Sequence, residues 1–211
     1  MGLGAAISNL FATLARLFLP VVFLMAAYAC ACISQAYPIV VLDPFVDPAP
    51  GTWLTARHIA IMIAFFVSML SNRARGPAFA FAQLVLTWLV LAAVLAALIY
   101  HPIAGLPAPT EATLLAGAPF LGALFAAHVV NILVFDGMRG IPWWRAPFFA
   151  GIFAAVTLPV IYWFLVRTAD MPWLTHAAID AGVKAFAVLV LLIPFAMLRS
   201  ATRPRNGFGG Y

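Results

Sequence analysis

Asp180 and Lys184 stand four residues apart, acid first, inside the apolar run AIDAGVKAFAVLVLLIP. On a helix that spacing puts both side chains on one face, in the order that favours an internal ion pair. Leu and Val would pack a lipid-embedded helix without the cost of inserting charge, so the pair reads as a recognition site; a pair that merely helps packing is the plainer alternative. A second constellation is His128 and Asn131, three apart and so on one face of another apolar segment. At about 1.5 Å of rise per residue His128 lies about 12 Å from the end of its helix, a depth similar to that of Lys184. One shared polar locus near the middle of the membrane is expected. For a lone His or Asn, an interhelical hydrogen bond is the plainer role.

Other chemistries fail on residue type or spacing. No pair of His residues four apart flanks a Glu, no Ser sits in a nucleophile elbow, and no Gly-Lys phosphate loop is present. Asp136-Gly137 is not followed by the further acids that a divalent-ion site needs. Cys30 and Cys32 have no other cysteine to complete a metal site, and their spacing on a helix turns them away from each other, so core packing is their expected role. The chain is read as a non-enzyme, with no cofactor and no metal.

The elements that must hold these residues follow from composition. Of 211 residues, 66% are apolar and only 8% charged, and the mean hydropathy is +1.09. No water-soluble surface is built from such a mixture. Apolar stretches long enough to cross a hydrocarbon core of about 30 Å fall near residues 14 to 33, 57 to 72, 78 to 100, 112 to 135, 146 to 166 and 175 to 198. Their length and continuity predict helices, since spanning strands alternate over about ten residues. The fold class is therefore an all-α membrane protein with six transmembrane helices in one domain, residues 1–200, followed by a flexible tail at 201–211. The second span is the weakest: Pro38, Asp43, Pro44, Asp47, Pro48 and Pro50 keep its approach out of any helix, and Arg57 and His58 shorten its apolar part. It is a candidate for a partly re-entrant element.

The eleven Lys and Arg residues sort unevenly between the span ends. Arg16, Arg73, Arg75, Arg139, Arg145, Arg199, Arg203 and Arg205 gather on one side; Arg57 and Arg167, with Asp43, Asp47, Glu111 and Asp170, fall on the other. The positive-inside rule then places both termini in the cytoplasm. The pI near 9.8 is explained by anchoring to anionic lipid, so no nucleic-acid partner is expected. Trp143, Trp144 and Arg139 read as an interfacial belt, with gating as the sharper alternative. Pro20, Pro119, Pro159 and Pro194 lie inside spans and free carbonyls that can line a cavity.

The segment HVVNILVFDGMRGIPWW, His128 to Trp144, together with the Asp-xxx-Lys helix of the sixth span, resembles the vitamin uptake transporter family, of the queuosine-precursor transporter type. The likeness is specific over residues 120 to 199 and architectural before that. It implies import of a small planar heterocycle of the 7-deazaguanine type through a midplane site, with a coupling ion as a possible second partner besides the lipid bilayer. It further implies that Asp180 accepts from the ring N–H and exocyclic amine, that His128 or Asn131 meets the ring carbonyl, and that Lys184 sets the charge of Asp180. Aromatics such as Trp144, Phe148, Tyr162 or Trp163 would stack on the ring. The chain departs from the family where Ala155, Thr157, Leu158 and Pro159 replace a polar cluster in the fifth span, where Met69 stands at an acidic position, and where His128 replaces a Gln. A non-transporting membrane subunit or substrate-binding component of a larger complex is the alternative function that those departures favour.

Overall fold

A computed structural model describes residues 3–101 and 110–204. Seven helices follow in chain order: α1 Leu3–Ile33, α2 Arg57–Ala60, α3 Met62–Arg75, α4 Pro77–Tyr100, α5 Glu111–Gly137, α6 Arg145–Leu165 and α7 Trp173–Leu198. The expected tail at 201–211 falls, from residue 205 on, outside the described residues. Among the described residues five segments are long and apolar enough to cross a membrane, namely Phe11–Ala36 and helices α4 to α7, as in a multi-pass membrane protein. Each overlaps a stretch expected from hydropathy alone.

Local chemistry explains the helix ends. Thr110 caps α5 by accepting the Thr113 amide at 3.2 Å, and Glu111 places a negative charge in that first turn. Between α3 and α4 the chain reverses through a single residue: Gly76 adopts φ 89°, a backbone conformation natural to glycine alone, and Pro77 opens α4 at a position that needs no N–H. Pro20 leaves the Arg16 carbonyl without its helical donor. Arg75 fills that vacancy, donating from Nη1 to Arg16 O at 2.9 Å, and so ties α3 to α1.

The second expected span is the one that fails the length and hydropathy test. It is broken at Ile61 into α2 and the 14-residue α3. Yet α3 is the centre of the bundle, touching α1, α4, α5, α6 and α7. A helix largely sheathed by other helices, here exposing chiefly Ile63, meets little lipid, so it need not be long or uniformly apolar. That freedom is used: α3 buries Ser68, Asn72 and Arg73 beside Phe65, Phe66 and Met69.

Large apolar side chains face outward on every long helix, among them Phe18, Leu89, Leu133, Phe153 and Phe186, while the interior combines large apolar side chains such as Phe65, Phe135 and Leu24 with small residues and polar ones. The buried face of α6 includes Ala146, Ala150, Gly151, Ala154 and Ala155, which lets neighbouring backbones approach closely, the packing mode of helices in lipid. At Gly151 the approach is tightest, since a Cβ there would sit 2.7 Å from Cγ1 of Val188 on α7. Cys30 and Cys32 correct the packing expectation: both thiols are exposed at the end of α1.

Side-chain contacts define two ends of the bundle. At one, Arg75 meets α1, Arg139 reaches Asn72 on α3, and Arg199 lies 4.8 Å from the Trp143 ring. At the other, Arg57 reaches Gln35 after α1 and covers the Phe120 ring of α5. The α2–α3 segment therefore runs from one end of the bundle to the other.

Candidate functional site

At the end opposite the arginine cluster lies a cavity of about 120 Å³ between α2, α5, α6 and α7. Asp180 and Lys184 form part of its wall, and both are buried. The i,i+4 spacing on α7 brings them into direct contact, with Lys184 Nζ donating to Asp180 Oδ1. The second carboxylate oxygen receives the indole N–H of Trp163 on α6 at 3.2 Å. His58 approaches the same oxygen with Nε2 at 4.0 Å, while its Nδ1 is held 3.1 Å from the Thr55 amide nitrogen and carbonyl oxygen. One carboxylate thus faces an ammonium, an indole and an imidazole drawn from three helices.

The remaining walls are aromatic and polar by turns. Tyr162 and Phe120 meet edge to face with centroids 5.7 Å apart, and Trp53, Trp163 and His176 form a cluster of tilted and edge-on rings 4.3 to 5.3 Å apart beside them. Arg57 lies 3.8 Å from the centre of the Phe120 ring and donates to Gln35 Oε1 at 3.0 Å. Beyond Arg57 and Phe120 a second cavity of about 190 Å³, lined by Tyr28, Trp88 and other apolar side chains, opens between α1, α4 and α5. The Arg57–Phe120 pair is the partition between a polar chamber and an apolar one.

The candidate residues read from sequence are therefore divided by the fold. Asp180, Lys184 and Tyr162 share the polar cavity. His128 does not line it: its ring stacks on Phe65 at 4.2 Å, its Nδ1 pairs with Leu124 O at 3.0 Å, and Tyr28 meets its edge. Three helices enclose this imidazole, so similar depth did not become shared location. Asn131 is fully buried, one turn further toward the arginine-rich end, and neither amide atom has a hydrogen-bond partner among the described residues. Trp144 is partly exposed at the opposite end of α6, packed on Phe148. Tyr162 follows Trp144 by 18 residues, and at a rise of about 1.5 Å per residue about 27 Å of helix separates the two, so both cannot touch one small ligand.

Reading the sequence for site residues missed Arg57, His58 and Trp53. A signal for two of them was present. Arg57 breaks the lopsided distribution of cations, and His58 beside it adds a second ionisable group where an apolar span should begin. Such residues need an interior partner or a water-filled recess. Trp53 carries no such mark, because an aromatic in a Pro-rich connection looks like any interfacial anchor. Comparison with protein-family models, curated proteins and solved structures gives no match.

Proposed function

We propose that the chain is a small-molecule membrane transporter that takes a planar, donor-rich heterocycle of the 7-deazaguanine type through the Asp180–Lys184 cavity. The observation that carries this reading is a buried ion pair opening onto an aromatic-walled chamber. An ion pair that served only to pack α7 would be sealed on all sides by apolar neighbours. This one faces empty space between rings, where a flat ligand gains stacking and a carboxylate can accept from ring N–H groups.

In this reading Asp180 accepts from the heterocycle's ring N–H and amine, Lys184 balances the charge of the carboxylate, and Tyr162 and Trp163 stack against the ring. His58 supplies the imidazole that His128 was expected to provide. Six membrane crossings follow if α2 and α3 together count as one, with both termini and the arginine-rich end in the cytoplasm of a bacterial inner membrane. The cavity then faces outward, and the far half of the bundle, packed by Phe66, Met69, Phe135 and Phe195, is the closed side of an alternating-access cycle. The resemblance over residues 120 to 199 to queuosine-precursor transporters supports the substrate class.

Uptake of a labelled 7-deazaguanine base by protein reconstituted in liposomes tests the proposal. Transport that is saturable and abolished by Asp180→Asn is the expected result. Binding without transport would instead assign the chain as the substrate-binding subunit of a larger complex, and neither binding nor transport would remove the reading.

A further inference from the structure

The charges around the cavity do not cancel. Lys184 is neutralised by Asp180, and the other groups on that carboxylate, Trp163 and His58, bring no negative charge. Arg57 is left as a second cation on the same wall. Its two contacts, the Gln35 side-chain oxygen and the Phe120 ring face, are both neutral, and among the described residues no carboxylate lies within ion-pair distance of it. Counting His58 as neutral, Arg57, Lys184 and Asp180 give the chamber one net positive charge. Protonation of His58 would only raise it.

A guanidinium stacked on an aromatic ring keeps its in-plane N–H groups free for a bidentate acceptor. The same stacking holds it at the cavity wall without neutralising it. We infer that the ligand of this cavity is a planar aromatic anion, its ring against Tyr162 and Trp163 and its negative group on Arg57. The inference rests on the transporter reading for the cavity's role and narrows its substrate class: an anionic substituent is selected and a cationic one is repelled. A lipid phosphate would satisfy the same guanidinium, but it would bring no flat ring to the aromatic walls.

The experiment is titration calorimetry on the full-length protein in neutral detergent without phospholipid, so that no lipid headgroup competes. Two matched series are used: 7-deazaguanines bearing a carboxylate, a carboxamide or an aminomethyl group at C7, and nicotinate, nicotinamide and 1-methylnicotinamide. In each the anion should bind about tenfold or more tighter than its neutral isostere, and the cation weakest of all. Arg57→Gln should bring the neutral and anionic members to within about twofold of each other, while Arg57→Lys, which keeps the charge, should preserve the order. Equal binding across a series, preference for the cation, an order unchanged in Arg57→Gln, or no anion bound in either series overturns the inference. The two readings fail separately. Deazaguanine uptake that ignores charge leaves the transporter and removes the anion preference. Inert deazaguanines beside an Arg57-dependent nicotinate order do the reverse.

Discussion

Trp163 on α6 donates its indole N–H to the carboxylate of Asp180 on α7 at 3.2 Å, and this bond joins the aromatic wall of the cavity to its ion pair. The contact orients the carboxylate so that one oxygen serves Lys184 and the other the chamber. Trp163→Phe keeps a ring and deletes the donor. We expect a loss of about 1.5–3 kcal/mol in ligand affinity, the range for a hydrogen bond to a charged group, with a smaller loss of stability. Calorimetric titration and thermal unfolding in detergent separate the two; unchanged affinity would show that the indole is only a wall.

Removing one member of the buried ion pair should cost more than removing both. Lys184→Met leaves an uncompensated carboxylate, and a loss of about 3–5 kcal/mol in stability is expected. The double variant Asp180→Asn with Lys184→Met should recover most of that loss without recovering uptake. A double variant as unstable as Lys184→Met alone would mean that the pair's value lies in its shape.

Gly151 and Val188 test the helix contact that carries the site. A methyl at 151 would meet Val188 Cγ1 at 2.7 Å, which α6 and α7 can relieve only by moving apart. Gly151→Ala should destabilise by about 1–3 kcal/mol, the range for overpacking, and weaken ligand binding, because the shift separates Trp163 from Asp180. Val188→Ala in the same chain should restore both. Thermal unfolding of the four proteins of the cycle gives the coupling, and additive effects would contradict the contact.

The arginine-rich end is latched by Arg139. Its Nη2 donates to the backbone and side-chain oxygens of Asn72 at 2.5 and 2.6 Å, its Nε to Asp136 at 2.6 Å, and Asn72 in turn donates to Ile132 O at 2.9 Å. Asn72→Ala removes two of these bonds, one from α3 to Ile132 on α5 and one to Arg139 just after it. In a chain with Cys30 and Cys32 replaced by Ala, a cysteine placed at buried Met69 should then alkylate several-fold faster from the arginine-rich side. An unchanged rate would mean that the latch does not close that side.

Membrane topology is checked by labelling single cysteines in intact cells. Ser200→Cys should be shielded from an impermeant reagent and Thr168→Cys should react, if six crossings place the arginine-rich end in the cytoplasm. The opposite pattern would invert the assignment, and reaction at both would exclude it.

Much of the architecture is a one-dimensional property and was legible as such. Long apolar runs, broken by Pro, Gly and Arg, predict where helices start and stop, because a backbone in lipid has to satisfy its hydrogen bonds within each segment. The contact between Asp180 and Lys184 is likewise local, decided by one helical turn. Which helix lies at the centre is not local. The short, comparatively polar α3 looks marginal in sequence and becomes the hub, because hydropathy reports exposure to lipid and a largely sheathed helix has little. His128 and His58 show the same limit for the site. Depth along a helix can be counted from sequence, whereas the direction a residue faces around the bundle depends on which neighbours pack there. Tertiary packing turned His128 toward Phe65 and Tyr28 and brought His58 to Asp180, since the small residues of α6 let α7 approach closely and only the assembled helices leave a chamber beside its charged face.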